Sequence, residues 1–402
     1  MKVMMLTQVL PYPPDSGPKV KTYNVIKYLA RQHRVTLVSF VRGDQSEDVR
    51  VLERHCHAVY TIPMERGMVR DAWFLGRSLL AKQPWMMLRD ERKGMRDLVV
   101  RLAAEESFDV AHADQLNMAQ YAALVQGAFR VFDAHNALWV LYKRVWETSS
   151  GPRKWLLGRD WRLLKSYEGR IVREFDAVLA VSEEDKVSLQ EAAGDPVSTT
   201  VIPIAVDTDE VKMMERVPEP NRILHVGTMY WPPNVDAINW FVRESYPLIR
   251  QERPDVVLDI VGARPPAELL ALNERGLGIH VTGYVEDLTP YQQRAALLIV
   301  PLLAGSGMRV KILNALAEGI PVVSTTLGCE GIEVTPGRDV LIGDTPEALA
   351  HEALRVLNDP ALGRRLAANG RWLAEEKYDY RTACRPLDDV YARAGSGQGG
   401  SL

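Results

Sequence analysis

The chain has 402 residues, enough for two ordinary domains that each bury a core of their own. Charged residues make up 25% and apolar ones 47%, as in soluble globular proteins, and a net charge of −3 with no recognisable binding motif argues against nucleic acid. Cys56, Cys329 and Cys384 are scattered without C-x-x-C spacing, which speaks against disulfides and zinc, and no run approaches the ~18 apolar residues of a membrane span.

The chain opens on an apolar run, residues 3–7, that reads as a strand without a cleavable-signal pattern, so the expected location is cytoplasmic. Short apolar runs at 35–40, 58–62, 110–113, 131–134 and 177–181 read as further buried strands. Helical stretches such as 20–32 and 97–106 separate them. Between the first strand and the first helix lies PYPPDSGPKVK, residues 11–21, where a parallel sheet would place a phosphate-facing loop. Gly17 beside its prolines is by itself most often a rigid turn, and Lys19 and Lys21 read as cations facing a crevice. Asp133-Ala134-His135-Asn136 ends a strand, the position from which polar groups reach ligands in open parallel sheets, although a lone histidine is often structural. Residues 174–185, EFDAVLAVSEED, read as a strand and then a helix capped by Ser182.

Charge is unevenly divided: residues 1–196 hold 29 Lys/Arg against 25 Asp/Glu, and the remainder 20 against 27. Two segments concentrate the basic residues. Residues 66–101 hold nine basic and four acidic side chains among Trp73, Phe74, Leu79, Leu80 and Trp85, and residues 143–173 hold nine and three among Trp146, Trp155 and Trp161. Cations mixed with Trp and Leu suit an anionic membrane surface on the inner face or a lipid-linked acceptor; amphipathic helices packed on a core are the plain alternative.

Residues 196–207 read as a domain boundary, after which strands are expected at 222–226, 256–261, 278–282, 297–300 and 322–324. Two successive β/α series imply an α/β chain of two doubly wound domains with parallel sheets. Gly227-Thr228 and Gly283-Tyr284 follow the first and third of these strands. After the 297–300 strand, Gly305, Ser306 and Gly307 make a loop with little side-chain bulk, and a helix is expected from Met308 to Gly319. Glycines, unpaired N–H groups and the helix dipole invite an anion, and Arg309 and Lys311 put two cations in a turn that ordinarily prefers acids. Two solvated side chains are the alternative. No Asp-x-Asp stands at a strand end to hold a metal. Beyond residue 359 the pattern turns helical, and the Gly/Ser-rich tail 395–402 is expected to be disordered.

The stretch from Val300 to Glu333 resembles the donor-binding segment of retaining glycosyltransferases of family 4, which have the GT-B fold: two Rossmann-like domains facing a central cleft. Ala315, Ala317, Gly319, Pro321, Val322 and Val323 match the family pattern, whereas Ser306 and Asn314 replace its two glutamates. Gly305 to Lys311 resembles a subgroup with a Gly-x-Gly-x-Arg-x-Lys start. The resemblance implies an acceptor-side domain at 1–196, a nucleotide-sugar domain at 207–377 and a helix at 378–394 that crosses back onto the first.

The activity implied is transfer of a hexosyl unit from a UDP- or GDP-sugar to a glycan or lipid-linked hydroxyl, with retention and with neither cofactor nor metal. His135 would contact the transferred sugar. Gly17, Gly227, Thr228, Gly283, Tyr284, Ser306, Gly307, Arg309, Lys311 and Asn314 would bind the donor, and Lys19, Tyr142 and Arg144 would line the acceptor side. An amide at Asn314 would hold the ribose less firmly than a carboxylate, by ~1–2 kcal/mol. Two alternatives are a non-catalytic subunit of the same fold, in line with the missing acids, and a nucleotide-sugar 2-epimerase, which would need them.

Overall fold

A computed structural model describes residues 1–65, 67–305 and 307–396. It divides into two compact units, one joining Met1–Ala205 to the segment that begins at Ala383, the other spanning Val206–Thr382.

The first unit is built on seven parallel strands: β1 (Lys2–Thr7), β2 (Arg34–Val41), β3 (Ala58–Pro63), β4 (Val110–Asp114), β5 (Phe129–Asp133), β6 (Ala177–Ala180) and β7 (Thr199–Val201). Their spatial order is β3-β2-β1-β4-β5-β6-β7. The chain therefore leaves β1 in one direction and returns to its other side at β4, which makes a switch point between the two. β4 is buried along its whole length and β1 along all but its first residue, as expected of strands covered by helices on both faces. Asp114 pairs in register with Asp133, so two carboxylates stand side by side where β4 and β5 end.

The second unit carries β8 (Arg222–Val226), β9 (Val257–Val261), β10 (Ile279–Gly283), β11 (Leu297–Val300), β12 (Val322–Ser324) and β13 (Leu341–Ile342). The order β10-β9-β8-β11-β12-β13 repeats the arrangement of the first sheet and places a second switch point between β8 and β11. Its core joins Ile223, Leu258, Ile260, Leu297 and Ile299 to helix residues such as Phe241, Leu349 and Leu362.

Several boundaries differ from expectation. The linker read at 196–207 contains β7, which pairs with β6; three residues are too short a run for alternation to show. The donor-loop helix is Val310–Glu318, two residues later than expected, with Arg309 in extended conformation as its N-cap. The single helix expected at 378–394 is two, Tyr380–Ala383 and Leu387–Gly395, broken just before Leu387, where Pro386 offers no N–H. Gly395 closes the second of these and Ser396 caps it, so the first two residues of the expected tail belong to the helix end, and 397–402 lie outside the described residues.

Candidate functional site

In the second unit, three strand ends are drawn together by glycines. The Gly227 N–H donates to the Val261 carbonyl (3.0 Å) and the Gly262 N–H to the Gly283 carbonyl (3.0 Å). A Cβ on Gly262 would lie 1.6 Å from the Gly227 oxygen, so only glycine allows this approach. Gly283 ends β10, and Tyr284 beyond it is 75% exposed.

The loop after β11 turns on Gly305 and Gly307, both at positive φ. The Arg309 guanidinium donates to the Gly307 carbonyl, and its terminal nitrogen would lie 3.0 Å from a Cβ on Gly305. Two residues on, Lys311 reaches from the helix to the loop after β8. Its Nζ donates to the Asn234 side chain (3.3 Å) and would lie 3.1 Å from a Cβ on Gly227. Asn234 in turn donates to the Thr228 carbonyl (3.0 Å).

Gly227, Thr228, Gly307, Arg309 and Lys311 thus converge at the switch point. Asn314, half-buried, sits one turn beyond Lys311 on the same helix. Ser306 lies outside the described residues.

The electrostatics of this corner are those of an anion site. Burial, then the neighbouring Arg309 charge, pushes the Lys311 ammonium down to about 7. His225, fully buried beneath it, is pushed down to about 3 by burial and then by Lys311. No ion pair to Lys311 occurs among the described residues. The N–H groups of Val310 and Lys311 have no acceptor within the helix, and the dipole adds to their pull on an anion.

In the first unit, Gly17 opens the Gly17–Leu29 helix, with Pro18 at a position where its missing N–H costs nothing. Lys19 pairs with Asp15 at the surface (3.1 Å). Lys21, read from the sequence as a cation facing a crevice, is 1% exposed and donates to the Asp133 carboxylate. The reason is that residues 20–26 of this helix are buried in succession, with Lys21 and Thr22 meeting the carboxylates at the ends of β5 and β4. Burial alone would raise the Asp133 pKa; Lys21, followed by His112 and His135, holds it well below the usual carboxylate range.

The neighbouring Asp114 accepts from Thr22 (2.8 Å) and lies 2.8 Å from His135 Nε2. A carboxylate only accepts, so Nε2 carries the proton of that bond. His135 Nδ1 is buried and has no hydrogen-bond partner among the described residues. Ligand atoms of Asp114, Asp133 and His135 lie within 4.8 Å of one another, but the Lys21 ammonium already stands against Asp133 as the cation.

Two carboxylates that sequence reading did not assign to the site hold the segment after His135. Asp185 accepts from the Ala137 N–H (2.7 Å), and Glu168 accepts from Leu138 and Trp139 (3.1 Å each), covering the start of the Leu138–Thr148 helix. Burial pushes Glu168 up to about 8, against the pull of those N–H groups. Ser182 caps its helix as expected, and Asp185 is the residue whose N–H it binds. Tyr142 and Arg144 lie on the Leu138–Thr148 helix, both half-buried, and burial pushes the Tyr142 phenol up to about 12.

Residues 16–210 match the family described as Glycosyltransferase Family 4, and residues 220–359 match Glycosyl transferases group 1. The chain is a family 4-like glycosyltransferase of the GT-B fold. The glycosyltransferase is 20% identical over 389 residues to an uncharacterized 44.6 kDa protein in the cps region of Klebsiella pneumoniae, covering 94% of this chain and 96% of that one. With the MMP α-(1→4)-mannosyltransferase of Mycolicibacterium hassiacum it shares 27% identity over 251 residues, 59% of each chain. Its fold superposes on Anabaena HepE in complex with UDP at a TM-score of 0.66 and 18% identity, covering 98% of this chain and 100% of that one.

Proposed function

We propose that this glycosyltransferase moves a sugar from a UDP- or GDP-sugar to a hydroxyl of a glycan or lipid-linked acceptor in surface-polysaccharide synthesis, retaining configuration and using no metal. One observation carries the reading: Lys311, without an ion pair among the described residues, is pressed against Gly227 at the helix N-terminus that Arg309 caps. Such a corner suits a diphosphate. The HepE structure holds UDP, the M. hassiacum relative is a mannosyltransferase, and the K. pneumoniae relative is in a cps region, which support donor, chemistry and setting in turn.

In this reading the diphosphate lies between the Gly227-Thr228 backbone and the 305–311 loop. Lys311, Arg309 and the loop N–H groups absorb the charge that develops as the glycosidic bond to the diphosphate breaks. Asn314 bonds the ribose hydroxyls, Gly283 and Tyr284 receive the base, and His135, with Nε2 tied to Asp114, offers Nδ1 to a hydroxyl of the donor sugar. Gly17 leaves room for the substrate's approach, and Lys19, Tyr142 and Arg144 face the acceptor. The Gly-x-Gly-x-Arg-x-Lys loop, with Arg309 and Lys311 supplying the charges for the diphosphate, supports placing the chain in that subgroup, and the reading has it work at the cytoplasmic side.

The test is turnover of UDP-glucose and GDP-mannose in chelator-treated buffer, with the product's anomeric proton followed by NMR. Retained configuration, unchanged rates with EDTA and a roughly 10²-fold loss in His135→Ala are expected. Activity abolished by EDTA would overturn the metal-free mechanism, and an inverted product would overturn retention.

A further inference from the structure

The helix Met68–Ala81 presents apolar side chains to solvent on one face. Phe74 and Ser78 point inward and are buried. Met68 (90% exposed), Val69 (88%), Trp73 (60%) and Leu80 (88%) point outward. Val69, Trp73, Gly76 and Leu80 recur at spacings of four, three and four, so they form a stripe along the helix. Lone exposed apolar residues are ordinary, whereas a stripe of this size marks an interaction surface.

Cations surround the stripe. Arg70, Arg77 and Lys82 are all exposed, and the Arg77 guanidinium lies 5.7 Å from the Trp73 ring centroid. The helix's one acid, Asp71, is half-buried. A second helix, Gly151–Glu174, is fastened beside this one from the inward side, where Arg159 donates to the Ser78 carbonyl and to its Oγ (3.2 Å). One turn earlier on that helix stands Trp155, 68% exposed, in a hollow shared with Lys154, Arg159 and Arg162.

We infer that this face docks the first unit on an anionic lipid bilayer. Trp73, Leu80, Met68 and Trp155 enter the interface, and Arg70, Arg77, Lys82 and Lys154 meet phosphate headgroups. Charge decides the occupant: cations around an apolar band complement anionic headgroups above an acyl layer, whereas a second copy of the same face would set like charges together. Among the described residues no helix is long and apolar enough to cross a membrane, so the attachment is peripheral. The inference does not rest on the transfer reading.

The test is cosedimentation of the full-length protein with vesicles of phosphatidylcholine alone or with phosphatidylglycerol, at low and high salt. Binding to the anionic vesicles only is expected, reduced at least tenfold in Trp73→Ser/Leu80→Ser and in Arg70→Ala/Arg77→Ala. Unchanged circular dichroism and nucleotide binding in these surface variants would show that fold and donor site are intact. Absence of binding by the wild type overturns the proposal, as does equal binding by both variants. A wild-type dimer that Trp73→Ser/Leu80→Ser converts to monomer, without vesicle binding, overturns it in favour of self-association.

Discussion

Lys311 sits at about 7 because burial and then Arg309 disfavour its charge. A bound diphosphate reverses that balance, so the ammonium's pKa rises on binding and the complex takes up a proton above pH 7. Nucleotide affinity should then fall by up to roughly tenfold per pH unit between about 7 and 9. Calorimetry in two buffers of different ionisation enthalpy reads the proton uptake directly; a pH-independent affinity with no uptake would contradict it.

In the proposed function Asp114 acts one bond away from the substrate, through His135. Asp114→Asn replaces a charge-assisted bond by a neutral one and should lower kcat roughly 10–100-fold. Binding of free UDP or GDP, read by nucleotide titration, should not change, because the residues proposed for the diphosphate, ribose and base lie on the other unit. Arg309, Lys311 and Gly227 were legible in the sequence because glycine and charge stand at fixed offsets from a strand. The Lys21–Asp133 and Asp114–His135 pairs were not: their partners are 112 and 21 residues apart, and only the strand register brings them together.

At the scale of the element, Glu168 on one helix holds the start of the helix that follows His135. Its ordinary pKa is 4.5 and its folded pKa is raised to about 8. Below about 4.5 the group is neutral in both folded and unfolded chains. Between the two values the unfolded chain releases the proton and the folded one keeps it, so stability is lost as pH rises toward 8. Thermal unfolding from pH 5 to 8 should show Tm falling in the wild type and a flatter profile in Glu168→Gln; parallel profiles would contradict this assignment. Most strands were visible as apolar runs, because burial on both faces removes alternation and leaves continuous Val/Ile/Leu. β7 and β13, three and two residues long, gave no run to recognise and exist through pairing with their neighbours.

For the whole molecule, the first unit depends on the chain's last helix. Leu387, Val390 and Tyr391 are buried there, and the Tyr391 hydroxyl lies 2.8 Å from His112 Nδ1. His112 Nε2 in turn lies 3.4 Å from Asp133. Removing residues 383–402 should cost the first unit about 5 kcal/mol from these three side chains alone. A calorimetric melt should then show one transition moved down and a second, belonging to Val206–Thr382, in place; two unmoved transitions would contradict the assignment. The two β/α series made the pair of doubly wound domains readable in advance, and the resemblance added the GT-B fold; the break lies at Pro386, a helix-ending residue that the apolar spacing on either side of it does not register.

In the proposed function Arg309 and Lys311 hold a nucleotide diphosphate. This is tested most directly by calorimetric titration with UDP, GDP and their sugars, without metal, on the wild type and on Arg309→Ala/Lys311→Ala. Micromolar binding of one nucleotide, lost in the folded double variant, is the predicted result. Failure of every nucleotide to bind folded wild-type protein, or equal binding by the double variant, would contradict it.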